Sequence, residues 1–133
     1  MSLNDVVPLL AVSDMKRSLA FYKDGLGFSI TQHWADQGAV KWCRLQNGKA
    51  GLMLQEFATE GIDSRKFSEG RGEGVSICIF CDDAIAYHQE ITARGIDAQD
   101  PFEGNGLWVT SVRDPDGYQF DFESPINAAS EVK

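Results

Sequence analysis

Residues 14–27 read DMKRSLAFYKDGLG, and residues 82–95 read DDAIAYHQEITARG. Each stretch opens on an aspartate and closes on a glycine. The offset is 68 residues at both ends (82 − 14 and 95 − 27). Aspartate favours a helix start because its carboxylate accepts from first-turn amides that lack a helical partner. Glycine favours a helix end because it adopts the left-handed conformation without a Cβ clash. Between these markers Met15, Leu19, Tyr22 and Leu26 fall at helical spacing, and so do Ala84, Tyr87 and Ile91. The two stretches predict two helices in a chain that states one pattern twice.

Working outward, a strand-like run precedes each helix, Val6 to Val12 and Val75 to Phe80. Three runs follow each one. In the first half they are Phe28 to Trp34, Ala39 to Leu45 and Ala50 to Glu56. In the second they are Ile96 to Ala98, Leu107 to Val112 and Tyr118 to Glu123. Asn47-Gly48 is a hairpin signal. Asp114-Pro115-Asp116-Gly117 is the matching turn, one residue out of step at an offset of 69 (117 − 48). The reading is α+β, with βαβββ written twice. A single such unit covers one sheet face with its helix and leaves the other bare. Two units are expected to form a curved, mostly antiparallel sheet around a cavity. The chain divides into repeat one (5–56), a Gly-, Ser- and charge-rich linker (57–74), repeat two (75–125) and a tail (126–133), together one domain of residues 1–133.

Composition narrows the function. The 133 residues carry 12 Lys+Arg and 20 Asp+Glu, a net charge of −8, with no basic cluster. That argues against nucleic acid, where phosphate neutralisation drives binding. No apolar run approaches the ~18 residues of a membrane span. Three cysteines, Cys43, Cys78 and Cys81, form an odd set without a leader, so a reducing cytoplasm is expected. Cys78-Ile79-Phe80-Cys81 has redox or zinc spacing, but it lies on a strand run. Alternation points positions 78 and 81 to opposite faces, so they cannot converge on one ion.

These residues resemble the vicinal oxygen chelate superfamily, which includes glyoxalase I, bleomycin-resistance proteins and extradiol dioxygenases. The resemblance rests on Pro8-Leu9-Leu10-Ala11-Val12-Ser13-Asp14, Ser18, Phe21-Tyr22, Gly25-Leu26-Gly27-Phe28, and residues 114–122 (DPDGYQFDF), and spans about residues 5 to 125. In metal-dependent members, four inward side chains, typically His and Glu, come from equivalent strands. Carried over, those positions fall near Val7, within Leu52-Met53-Leu54, near Ser76 (or Val75), and on Asp121. Asp121 alone suits a divalent cation, and one carboxylate does not replace three or four ligands. The resemblance therefore implies the bleomycin-resistance branch: a homodimer that holds a cationic or aromatic small molecule in a cleft, without metal or cofactor, as in antibiotic sequestration. The alternative is a divergent metal-dependent lyase, isomerase or dioxygenase that uses other residues, such as His33, Glu56 and Asp121.

The candidate ligand-binding residues are Trp42, Trp108, Asp121, His33, Trp34 and Glu123; none is assigned a catalytic or metal-binding role. Trp42 and Trp108 sit on the central run of each half and could stack on a planar ligand, with core or dimer-interface packing as the bland alternative. A cationic ligand would gain further from the ring face. Asp121 alternates with Phe120 and Phe122. If the phenylalanines lie under a helix, then Gln119, Asp121 and Glu123 line the opposite face. Glu56 and Glu123 end their runs and read as rim charges. His33 reads as a solvent-facing strand residue, and His88 as a helix flank. Ser76 and Cys78 share a face as small wall residues. Arg65, Lys66 and Arg71 read as a solvated loop.

Overall fold

The computed structural model describes residues 1–57 and 71–126. It forms two compact units, one per repeat. The first contains β1 (Leu9–Val12), α1 (Met15–Leu19), a π-helical turn (Ala20–Gly25), β2 (Ser29–Asp36), β3 (Ala39–Asn47) and β4 (Ala50–Glu56). Its sheet order is β1-β4-β3-β2. The second contains β5 (Ser76–Phe80), α2 (Ala84–Ala93), β6 (Phe102–Gly104), β7 (Leu107–Arg113) and β8 (Gln119–Pro125), ordered β5-β8-β7-β6. In both sheets the first strand pairs parallel to the last, and the remaining pairs are antiparallel. The βαβββ pattern is thus written twice, as the sequence predicts. Arg65, Lys66 and residues 127–133 lie outside the described residues.

Helix starts correct one detail. Asp14 accepts from Arg17 N at 3.2 Å, but the second cap is Asp83, not Asp82, and it accepts from Ala86 N at 3.0 Å. The caps are therefore 69 residues apart (83 − 14), while the terminating glycines Gly27 (φ 86°) and Gly95 (φ 95°) stay 68 apart. The first helical stretch holds eleven residues (five α, six π) against ten in α2. The surplus residue is absorbed by the π turn, where Leu26 N donates to Phe21 O at 2.8 Å. A π turn is the usual way a helix accommodates one extra residue.

Turns correct another. Ile96 to Ala98 is not a strand; Ala98 makes only an isolated bridge to Val112. The short strand β6 lies further on and is joined to β7 by Asn105-Gly106, with φ of 52° and 76°. Gln37-Gly38, at 51° and 80°, joins β2 to β3 in the same way. A two-residue hairpin loop with both φ positive is the type I′ turn that follows strand twist. Replacing Gly106 by alanine puts a Cβ on a left-handed residue and is expected to cost about 1–2 kcal/mol in chemical denaturation. At the other turn, Gly117 N donates to Asp114 O at 3.0 Å, and Asp114 Oδ1 accepts from Asp116 N and Tyr118 N at 2.9 and 2.8 Å.

Each sheet buries one face under its own helix. In the first unit Leu10, Val12, Cys43, Leu45, Leu52 and Leu54 pack with Met15, Tyr22 and Leu26. In the second, Thr110, Val112, Phe120 and Phe122 pack with Ala84 and Ile91. Tyr87 of α2 sits with its ring centroid 4.7 Å from that of Phe122. The helix starts are tied down by equivalent strand ends. Met15 N donates to Glu56 at 2.8 Å, and Ala84 N to Ser124 Oγ at 2.8 Å. Val6 is 94% exposed and the predicted strand starts three residues late, at Leu9, although Pro8 O already accepts from Met53 N of β4 at 2.8 Å. No helix among the described residues is long and apolar enough to cross a membrane.

Candidate functional site

The alternation that buries one face of each sheet fixes what stands on the other. In β3, Cys43 and Leu45 are fully buried toward the helix, so Trp42 and Arg44 take the open face. Trp42 pairs in register with Trp34 of β2 and Gln55 of β4. Arg44 pairs with Gln32 and Met53. A register irregularity between Ile30 and Gln32 brings Trp34 opposite Trp42, and Trp34 remains 58% exposed. Two indoles therefore stand side by side on the open face of the first sheet. His33 pairs with Cys43 instead and is exposed, as its strand-histidine reading expects.

In the second sheet Phe120 and Phe122 are buried against α2, and Gln119, Asp121 and Glu123 take the opposite face as the sequence predicts. Register adds their neighbours. Ser76, Cys78 and Phe80 of β5 pair with Gln119, Asp121 and Glu123 on one side. Arg113, Ser111 and Val109 of β7 pair with the same three on the other. Ser111 Oγ donates to Asp121 Oδ1, and Gln119 Nε2 donates to the same oxygen at 3.2 Å. Ser111 and Arg113 are absent from the sequence reading. The signal for them is the Asp114–Gly117 turn, which sets the β7–β8 register.

The structure corrects the placement of Trp108. It pairs with Ser124, which is buried beneath the start of α2, so Trp108 lies on the helix-side face and not beside Asp121. With Asp82, Asp83, Ile85, Ala86, Gln89, Ser124 and Pro125 it lines a separate pocket of about 360 Å³. Trp42 and Trp108 are therefore not equivalent: one stands on the face away from its helix, the other on the helix side. Glu56 is also not a free rim charge. It accepts from the α1 amide and from Lys41 Nζ at 2.7 Å. That hydrogen bond, and then the Glu56 charge itself, hold the Lys41 ammonium above its ordinary range.

The cysteines are free thiols. Burial pushes Cys43 up to about 11. Cys78 is exposed, and burial and then the Glu123 and Asp121 carboxylates hold it above its ordinary value. Raised thiols are poor nucleophiles and poor metal ligands at neutral pH.

A family model for the Glyoxalase/Bleomycin resistance protein/Dioxygenase superfamily matches residues 3–122. The chain belongs to this superfamily. A lactoylglutathione lyase of Haemophilus influenzae is 27% identical over 120 residues, which cover 86% of this chain and 87% of that protein. Among solved structures, TioX from Micromonospora sp. ML1 superposes with a TM-score of 0.73 at 21% identity, covering 92% of this chain and 99% of its own. TnmS3, an antibiotic-binding protein from Streptomyces sp. CB03234, gives 0.69 at 19% identity, covering 94% and 98%.

The metal positions that the resemblance implies can now be placed on the structure. Within Leu52-Met53-Leu54, Leu52 and Leu54 are buried toward the helix, so Met53 is the open-face residue. Val7, Met53, Ser76 and Asp121 then offer an aliphatic group, a thioether, a hydroxyl and one carboxylate. A divalent cation of the Zn, Ni, Mn or Fe kind requires three or more imidazole, thiolate or carboxylate donors. The donor set does not fit it. The alternative set of His33, Glu56 and Asp121 loses Glu56 to α1 and Lys41. Among the described residues no group of three or more His, Cys, Asp or Glu is placed to hold a metal ion.

Proposed function

We propose that this protein binds a cationic or aromatic small molecule without a metal, acting as a homodimer, with antibiotic sequestration as its biological form. The observation that carries the reading is the chemistry of the open faces. Where metal-dependent members place chelating residues, this chain places Val7, Met53 and Ser76, leaving Asp121 alone. Trp42 and Trp34 supply paired indoles for a planar or cationic group. Asp121 and Glu123 supply negative charge on the second sheet's open face. The likeness in fold to TnmS3, named as an antibiotic-binding protein, supports the same reading. Trp108 is not among these groups, because it stands on the helix side of its own sheet.

A second reading follows from the lactoylglutathione lyase likeness: a divergent metal-dependent lyase, isomerase or dioxygenase of the same superfamily. A thermal-shift screen separates the two. Protein purified without chelators is mixed with Zn²⁺, Ni²⁺, Mn²⁺ or Fe²⁺ in one arm and aromatic ammonium compounds in the other. A ligand at a hundredfold its Kd stabilises by about 2.7 kcal/mol. We expect the midpoint to rise with the organic cations and not with the metals. Bound metal near one equivalent would overturn the proposal in favour of the enzyme. Light scattering is expected to give twice the mass of one chain.

A further inference from the structure

Asp121 does not present two equal oxygens. Among the described residues both of its side-chain hydrogen bonds fall on Oδ1, from Ser111 Oγ and from Gln119 Nε2, and neither falls on Oδ2. The Gln119 amide is itself held. Its Oε1 accepts from Arg113 Nη2 at 3.0 Å, and Arg113 Nη1 donates to Gly117 O at 3.0 Å. Flipping that amide would set its oxygen against the Asp121 carboxylate and its NH₂ against the guanidinium, losing both bonds. The network runs guanidinium, amide, carboxylate, hydroxyl along one face of β7 and β8.

We infer that Asp121 offers one open oxygen, Oδ2, to a hydrogen-bond-donating organic cation such as an alkylammonium or amidinium, and that Ser111, Gln119 and Arg113 are positioning residues that hold it. This rests on the proposed binding function and names the cation chemistry at that site. A divalent metal ion needs several oxygen or nitrogen donors converging at once, and one lone carboxylate oxygen does not supply them. A donor N–H⁺ needs one acceptor and gains a charge-assisted hydrogen bond, which a quaternary ammonium of equal charge cannot make. The neighbours across β5 supply a small side chain and apolar surface. Cys78, a small side chain, pairs with Asp121 across β5. Phe80, 70% exposed, pairs with Glu123 and offers a ring beside the carboxylates. Burial first, and then the Glu123 and Asp121 charges, push the Cys78 thiol up, so that spot lies within the field of both carboxylates.

The test compares benzylamine with benzyltrimethylammonium, both cationic at pH 7, by calorimetry on the full chain. Wild type is expected to bind benzylamine roughly tenfold more tightly. Ser111→Ala and Gln119→Ala are expected to weaken benzylamine binding by roughly three- to tenfold, with little change for benzyltrimethylammonium. Ser111→Thr keeps the hydroxyl and is expected to restore the preference. A merely structural role would move both probes together, and that result overturns the positioning claim. Equal affinities of wild type for the two probes overturn the inference while the proposed function stands. Binding of neither probe overturns both.

Discussion

Truncating Phe120 to alanine is expected to cost about 3–5 kcal/mol, the largest stability loss among single substitutions in the second unit. Phe120 is fully buried. Its strand position pairs with Ile77 on one side and Val112 on the other. Its ring stacks on Phe122 at a centroid distance of 6.3 Å, and Phe122 in turn meets Tyr87 of α2. Alanine leaves a void on the face where the helix docks, and close-packed neighbours collapse into it only partly. The midpoint of thermal unfolding should fall by roughly 10–20 °C. Urea denaturation checks the free energy. A cost below about 1 kcal/mol would mean that the helix does not pack on this face.

Asp121→Asn is expected to give the largest loss of binding, roughly 10–100-fold for benzylamine, the range set by hydrogen bonds to charged groups. The asparagine amide can still accept from Ser111 and Gln119 through its one oxygen, so the free protein should keep its stability to within ~1 kcal/mol. What disappears is the negative charge at the only family metal position that retains a ligating side chain. Calorimetry on the variant checks the prediction, and unchanged affinity would remove Asp121 from the site. Because binding changes while folding does not, the outcome reports on recognition and not on packing.

Much of the architecture is legible in the sequence for a simple reason: helices and strands were marked by residues with few alternatives. Asp14, Gly27, Gly95 and Gly117 do at their positions what their chemistry allows few others to do. The Phe120–Asp121–Phe122 alternation gives the face of Asp121 directly. Trp108 is harder, because its strand carries Val109, Thr110, Ser111 and Val112, whose sizes and polarities do not separate inside from outside. Its face is settled only by counting back through the hairpin, from Arg113 opposite Gln119 to Trp108 opposite Ser124. Strand β6 follows the same lesson. Asn105-Gly106 holds both residues at positive φ, so it fixes the hairpin more tightly than the weak apolar run at Ile96. The network around Asp121 depends on side-chain pairing across strands, which no single strand encodes.

The widened turn at Ala20–Gly25 bears on how the two halves arose. A one-codon difference between duplicated segments would ordinarily rotate everything downstream by a quarter turn or more, throwing the next strand's inward residues outward. Swelling a single turn confines that phase error to six residues. Both copies then keep their cap at one end and their glycine at the other. Excising one residue from that turn should shrink it to an ordinary α-helix and make the halves equal in helical length. The molecule thus preserves, as a local distortion, the record of an unequal inheritance.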